Sequence, residues 1–403
     1  MNFSLVNLGC KVNRVESDAL SAQFLAVGAH ATSLASADLV VINTCTVTGE
    51  AEKKTRKAVR HALKEAPFAR VLVTGCAAAI DPHFFESLDT RVQVIPKAQI
   101  SSVIDELLQV DTAASPLLRT GKSFPTRVGV KVQDGCNNAC TYCIVHVARG
   151  KAKSRPSSEI LEECTHLARA GVREIVLTGI NLGSYLDEGL ALDELIDELL
   201  IATDGLCEKD EYPCRFRLSS IEPCDVSDAL INLMARSKGR ICRHLHLPLQ
   251  SGSERVLREM ARPYSARDFE ELVSRIRHAL PELSLSTDII VGFPGETEKD
   301  FDDTLSLACA CAFSKIHVFP YSMRAGTPAA ARTDQIAPEV KSARAKRMRE
   351  LASALRTQDF ALRRGRSELV LIEEDGRAMS ESYYEIAAPQ GAKVGSLLQM
   401  SLG

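Results

Sequence analysis

Short apolar runs alternate with longer amphipathic stretches through the first hundred residues. Phe3–Leu8 reads as a strand ending at Gly9-Cys10, and a helix is predicted over roughly Glu16–Val27. Asp38–Asn43 (DLVVIN) is a β-branched run of the kind buried inside a sheet, and it ends at Thr44-Cys45-Thr46. A basic helix is predicted next, over about Glu50–Lys64, and Arg70–Thr74 is a third strand that stops at Gly75-Cys76. Strands alternating with helical periodicity predict a parallel sheet covered by helices.

Residues 111–126, with their Thr, Ser, Pro and Gly, read as a linker. A second alternating run follows. Its predicted strands are Arg127–Gln133, Glu174–Thr178, Arg215–Ser219, His244–Pro248, Leu285–Val291 and Lys315–Phe319. Six strands separated by helices suit a partial β/α barrel, whose working face is the carboxyl end of the strands. From Val340 to Arg366 nine Lys/Arg stand against Glu350 and Asp359 in a helical stretch. Glu368–Glu373 and Tyr384–Ala388 then read as strands, with Gly376, Gly391 and Gly395 as punctuation. A β tail of that size is marginal as an independent domain. The expected domains are therefore 1–112, 122–337, a basic helical connector 338–365, and a tail 366–403.

Composition narrows the class. At 45% hydrophobic and 25% charged the chain is globular in type. No apolar run approaches the 18 or so residues of a membrane span. Met1-Asn2-Phe3-Ser4-Leu5 lacks a basic n-region, so export is not expected and the cytoplasm is. Thirteen cysteines, an odd number, argue against a paired disulfide framework and for free thiols. Cys164, Cys207, Cys214, Cys224, Cys242, Cys309 and Cys311 read as packing residues. A net charge of −3 means that nucleic-acid binding would need local basic patches.

The remaining six cysteines carry the chemistry. Cys10, Cys45 and Cys76 each lie just past the carboxyl end of a predicted strand, where open parallel sheets bind ligands. Asp134-Gly135-Cys136-Asn137-Asn138-Ala139-Cys140-Thr141-Tyr142-Cys143 has the spacing C-x3-C-x2-C directly after a strand. One loop can wrap an iron–sulfur cluster with such spacing, and three thiolates leave one iron open. A zinc loop closed by His146, or a redox pair Cys140/Cys143, are the other readings of the same residues.

With its aromatic residue before the last Cys, this loop resembles that of the radical-S-adenosylmethionine (SAM) superfamily. The whole chain resembles the methylthiotransferases within it. Gly9-Cys10-Lys11-Val12-Asn13, Asn43-Thr44-Cys45-Thr46-Val47-Thr48, Val132–Asn138, Leu177–Gly183, Leu218–Pro223, Leu245–Gly252, Thr287–Thr297 and Ile316–Tyr321 resemble the branch acting on threonylcarbamoyladenosine in tRNA. The resemblance implies an α/β fold: a flavodoxin-like parallel-sheet domain, a radical-SAM partial (β/α)6 barrel and a small β tail of the RNA-binding TRAM type. It implies two [4Fe–4S] clusters, an auxiliary one on Cys10, Cys45 and Cys76 and a SAM-binding one on Cys136, Cys140 and Cys143. Thr178, Gly179, Asn181, Ser219, Gln250 and Asp288 would line the SAM pocket. The implied reaction places a methylthio group on C2 of N6-threonylcarbamoyladenosine at position 37, beside the anticodon, and needs an electron donor and a sulfur source. Isopentenyladenosine tRNA and a ribosomal-protein aspartate are the substrates of the sister branches. A non-catalytic iron–sulfur or zinc protein that binds RNA and senses redox state is the alternative outside the class.

For tRNA contact the expected residues are Lys53, Lys54, Arg56, Lys57 and Arg60 on one helix, Arg149, Lys151, Lys153 and Arg155 after the cysteine loop, and the 340–366 stretch. The chain departs from the branch at His146-Val147 and at Ala77-Ala78-Ala79, where aromatics are usual, and its tail is short.

Overall fold

Five parallel strands make the first sheet of the computed structural model, which describes residues 1–46, 49–108, 126–206 and 212–403. They are β1 (Asn2–Asn7), β2 (His30–Ala31), β3 (Leu39–Thr44), β4 (Arg70–Gly75) and β5 (Val92–Val94). Their spatial order β2-β1-β3-β4-β5 is the flavodoxin-like order, with its switch point between β1 and β3. Val40, Ile42, Val71 and Val73 pack under one face with Val59 and Ala62. Val41 and Leu72 pack under the other with Phe24 and Ile104. Alternating residues of β3 thus serve opposite layers, so its sequence reads as an unbroken apolar run. The helix after β1 spans Lys11–Ala26, five residues earlier than its periodicity predicts, with Cys10 at the N-cap. Its first turn buries Val12 and the polar Asn13, and a buried Asn hides a helix start from a hydrophobic pattern.

This sheet belongs to one of two compact units, formed by residues 1–122, 134–137 and 143–152. The second unit comprises 123–133, 138–142 and 153–403. Of the predicted linker, residues 111–125 lie outside the described part, as does Cys207.

In the second unit the six barrel strands are Arg127–Lys131, Glu174–Thr178, Arg215–Leu218, His244–His246, Ser284–Val291 and Lys315–Pro320. The first three pair in parallel, as do the last three. Single bridges from Phe216 to Ile241 and from Ser220 to His246 join the halves. The fourth strand ends before Pro248, which has no N–H to give a ladder. The Leu249 N–H turns instead to the Thr287 hydroxyl at 2.9 Å.

The tail forms four antiparallel strands, Ser367–Ile372, Arg377–Ser380, Glu385–Ala387 and Leu397–Ser401, two more than its pattern predicts. It is part of the second unit. Arg215 donates to the carbonyls of Leu369 (2.7 Å) and Met379 (3.2 Å), and Arg217 to those of Ser380 (3.0 Å) and Glu381 (3.1 Å). Both arginines also bind Glu174, which is fully buried. Tyr383, at φ +70°, packs on His244 at 4.8 Å with the Arg217 guanidinium 4.8 Å from its ring. These contacts lie at the amino-terminal end of the strands, so the tail closes the end of the barrel opposite its working face.

Candidate functional site

In the first unit Asn13 ties the strand ends together. Its Nδ2 donates to the carbonyls of Leu8 (2.9 Å) and Thr44 (2.8 Å), and its Oδ1 lies 3.7 Å from Cys10 Sγ. The Thr44 hydroxyl donates to the Thr74 carbonyl (2.6 Å) and accepts from the Ala78 N–H (3.1 Å), joining the end of β3 to the turn that carries Cys76. Gly9, at φ +117°, leaves no room for a side chain: a Cβ there would lie 2.6 Å from Cys45 Sγ. The Cys45 side chain therefore packs directly on the backbone step that precedes Cys10.

Arg149 completes this group. Its Nε donates to Cys76 Sγ at 3.3 Å, its Nη2 to Asn13 Oδ1 at 2.7 Å, and its Nη1 to Glu16 (3.0 Å) and Asp134 (2.7 Å). The side chain is 1% exposed. Burial opposes its charge, but Cys76, Glu16 and Asp134 outweigh burial and raise the guanidinium above its ordinary value. Sequence reasoning placed Arg149 among RNA-binding cations. The structure places it against a thiol, and no sequence signal distinguishes it from its basic neighbours.

Zinc demands ligands gathered tightly around one ion. Among the described residues, the three-ligand group gathered to within 4.8 Å is His246, Asp288 and His317, not any set of thiols. His146 is exposed and joins no such group.

The Cys136–Cys143 segment contributes to both units. Cys136 donates its N–H to the Gly150 carbonyl (3.1 Å), and Cys143 Sγ accepts from the Val145 N–H (3.4 Å), within the first unit. In the second unit Cys140 Sγ accepts from Arg262 Nη1 at 3.1 Å. Arg262 also donates to Tyr264 Oη (2.9 Å) and pairs with Glu222. Burial pushes the Glu222 carboxyl up despite that arginine. Each cysteine set therefore has one buried arginine on one of its thiols, and the motif reading singled out neither.

The sequence-predicted SAM residues divide into two groups. Thr178, Gly179, Asn181 and Ser219 sit at the carboxyl ends of the second and third barrel strands. Gln133 Oε1 accepts from the N–H groups of Ile180 and Asn181, both at 3.0 Å, and a Cβ on Gly179 would lie 2.9 Å from it. Asn181 Nδ2 donates to Asp225 at 2.8 Å. Thr178 Oγ1, Asn181 Oδ1 and Ser219 Oγ are buried with no protein hydrogen-bond partner. Buried polar atoms left so are costly, and three together mark a cradle for a polar ligand. An amino-acid and ribose ligand such as SAM fits that donor and acceptor set. Gln250, at φ +66°, and Asp288 lie on the other half of the barrel, where Asp288 faces His246 at 3.3 Å.

The basic runs are only partly available for RNA. Lys53, Lys57 and Arg60 are exposed, whereas Lys54 pairs with Glu50 and Arg56 with Glu52. Arg155 pairs with Glu163. In the connector helix Pro338–Arg363, Arg344 binds Glu296, Arg347 binds Glu298 and Asp302, and Arg363 binds Asp359. Ala77 and Ala78 pack in the core, and Cys311 is buried while Cys309 is exposed. Among the described residues no helix is long and apolar enough to cross a membrane.

Comparison with known proteins agrees with this geometry. Residues 130–308 match the radical SAM superfamily, and residues 2–95 match a family described as uncharacterized protein family UPF0004. The chain is 38% identical over 376 residues to the threonylcarbamoyladenosine tRNA methylthiotransferase MtaB of Chlamydia pneumoniae, covering 92% of this chain and 87% of the relative. It is 36% identical to the Bacillus subtilis protein of the same name, covering 91% and 84%. A tRNA-2-methylthio-N(6)-dimethylallyladenosine synthase of Lachnoclostridium phytofermentans is 34% identical, covering 93% and 85%. Among solved structures, the radical SAM methyltransferase TsrM from Kitasatospora setae, with cobalamin and a [4Fe–4S] cluster bound, superposes with a TM-score of 0.58. It is 15% identical, covering 82% of this chain and 77% of its own, which shows a shared fold.

Proposed function

Because the chain belongs to the radical-SAM methylthiotransferase family, an enzyme family that uses SAM and [4Fe–4S] clusters, we propose that it transfers a methylthio group to C2 of N6-threonylcarbamoyladenosine at position 37 of tRNA. The observation that carries this reading is the second thiol set. Asn13 and Arg149 link the Cys10 and Cys76 thiols in one hydrogen-bond network, and the Cys45 side chain packs against Gly9 beside Cys10 in sequence, an arrangement that a protein needing only to cleave SAM would not require. The identities to proteins named for threonylcarbamoyladenosine support the branch.

In this reading Cys10, Cys45 and Cys76 hold an auxiliary [4Fe–4S] cluster, and Cys136, Cys140 and Cys143 hold the cluster that binds SAM. When bound, these groups supply the radical and the sulfur that acid–base side chains cannot. The protein's own residues do the rest. Arg149 and Arg262 donate to one thiolate of each set and compensate its charge. Thr178, Asn181 and Ser219 offer their unpaired oxygens to SAM, and Gln133 holds the loop that carries Asn181. Lys53, Lys57 and Arg60 contact the tRNA backbone, so binding weakens with salt, and the 366–403 tail adds RNA contacts. An electron donor and a sulfur source complete the reaction, and the cytoplasm supplies all of these partners.

Anaerobic iron and sulfide quantitation tests the reading. The wild type should hold about eight irons and a Cys10/Cys45/Cys76→Ala triple variant about four. About four in both proteins would make the amino-terminal thiols structural and sink the methylthiotransfer reading. Assay of the wild type on threonylcarbamoyl and dimethylallyl tRNA side by side tests the branch.

A further inference from the structure

The wall of the barrel formed by its last three strands is polar where a barrel interior is usually packed with branched apolar side chains. Along the fifth strand Leu285, Thr287, Ile289 and Val291 are fully buried, while Asp288 and Ile290 between them are not. In the parallel register His246 lies beside Ser286, and Asp288 beside His317. Paired positions and positions two apart share a face, so His246, Ser286, Asp288 and His317 all project from one side. The His246 and Asp288 side chains remain 14% and 27% exposed. They reach solvent, as a ligand site must.

A hydrogen-bond chain orients this group. His244 Nε2 and His246 Nδ1 both lie 2.9 Å from Ser286 Oγ. One hydroxyl can donate to only one of two imidazoles, so the other imidazole donates to it. His246 Nε2 is 3.3 Å from Asp288, and the His246 and His317 rings meet edge to face at 5.8 Å. One carboxylate and two imidazoles thus converge to within 4.8 Å. The bridge from Ser220 to His246 puts this wall next to the strand carrying Ser219 of the SAM cradle.

The names of the relatives pose the question this site answers. One group acts on threonylcarbamoyladenosine and the other on dimethylallyladenosine. The first substituent brings a carboxylate, a hydroxyl and urea-type N–H groups, while the second is hydrocarbon. We propose that His246, Asp288 and His317 form the binding site for the amino-acid substituent of the substrate base. The His317 imidazole takes its carboxylate, and the Asp288 carboxylate, held by His246, accepts from its N–H or hydroxyl. This deepens the proposed function and rests on it. It also moves Asp288 from the SAM pocket, where sequence reasoning put it, to the substrate. A hydrocarbon substituent would cover these polar groups without offering them a hydrogen bond, which is the strongest basis on which a site rejects a ligand.

The test uses the full-length, cluster-reconstituted enzyme and two tRNAs. One carries threonylcarbamoyladenosine, and the other the same base with its carboxylate converted to a primary amide. The wild type should prefer the acid by on the order of 100-fold in kcat/KM, the scale of a hydrogen-bonded charge. His317→Leu should lose most of that preference by falling on the acid alone, and His317→Gln should recover part of it. Release of 5′-deoxyadenosine without tRNA, and the cluster absorbance, should be unchanged in both variants. Undiminished preference for the acid in His317→Leu would overturn the proposal. So would loss of tRNA-independent SAM cleavage, which would put His317 on SAM. One equivalent of a non-iron divalent metal, present in the wild type and lost in His317→Leu, would make the trio a metal site instead. A wild type that turns over dimethylallyl tRNA and not threonylcarbamoyl tRNA would overturn the branch reading, and this site with it.

Discussion

The Arg149 guanidinium donates from Nε to Cys76 Sγ at 3.3 Å while its Nη2 holds Asn13 Oδ1 at 2.7 Å, and Asn13 Oδ1 lies 3.7 Å from Cys10 Sγ. One buried cation therefore reaches one thiol directly and a second through an amide. Groups that orient metal ligands and compensate their charge contribute to metal affinity by about 10- to 100-fold.

Arg149→Met should weaken iron retention at the amino-terminal site by on the order of 10- to 100-fold. Iron released to a chelator, followed against time, measures this. About half the iron should leave early in the variant, with the other half as stable as in the wild type. Identical release curves would show that Arg149 is a packing residue.

Ser219 tests the SAM cradle at low structural cost. Its Oγ is buried with no protein partner, so Ser219→Ala removes no intramolecular hydrogen bond. The variant should keep its thermal midpoint while its Kd for SAM rises about 5- to 10-fold, the scale of about 1 kcal/mol for a neutral hydrogen bond. Equilibrium binding under anaerobic conditions reads this directly. An unchanged Kd would remove Ser219 from the pocket.

Glu174 anchors the tail and predicts a pH dependence. Burial would raise its carboxyl, but the charges of Arg217 and Arg215 outweigh burial and hold it well below the usual carboxylate range. A depressed carboxyl contributes stability that is fully present above its unfolded value of about 4.3 and lost as pH falls toward the folded value. Urea midpoints should therefore decline from about pH 5 downward. Glu174→Gln should lower stability at neutral pH by about 3–5 kcal/mol, because two arginines stay buried without their anion. It should also flatten the decline below pH 5. An equally steep decline in the variant would assign the acid sensitivity to other groups.

Much of the first unit could be read from the chain because its signals are local. The β-branched run Val40–Ile42 packs into two layers whatever surrounds it, and three Gly-Cys or Thr-Cys steps mark three strand ends. The barrel strands were found to within a residue or two for the same reason. The tail was harder. Arg377–Ser380 is a strand because it folds back in a hairpin on Ser367–Ile372, and Leu397–Ser401 because it pairs with the same strand from some 30 residues away, a partner that leaves little trace in a short segment.

Arg149, Arg262, Asn13 and Gln133 show where sequence stops. Arg149 follows a cysteine loop among other cations and looks like an RNA contact, and Arg262 looks like any helix-end arginine. Charge is visible in a sequence, but the partner that consumes it is chosen by the fold. The same holds for the connector helix, whose arginines meet Glu296, Glu298, Asp302 and Asp359.

The sequence by itself determined the alternating α/β class, six cysteines in two spaced sets, and the resemblance to radical-SAM methylthiotransferases. Each of these rests on covalent spacing or on periodicity within one element. Only the tertiary structure decided which arginine touches which thiol, which strand-end oxygens are left unpaired, and that His246, Asp288 and His317 meet. Those residues lie tens of positions apart and are joined by parallel register, whose hydrogen bonds form only when the whole sheet does.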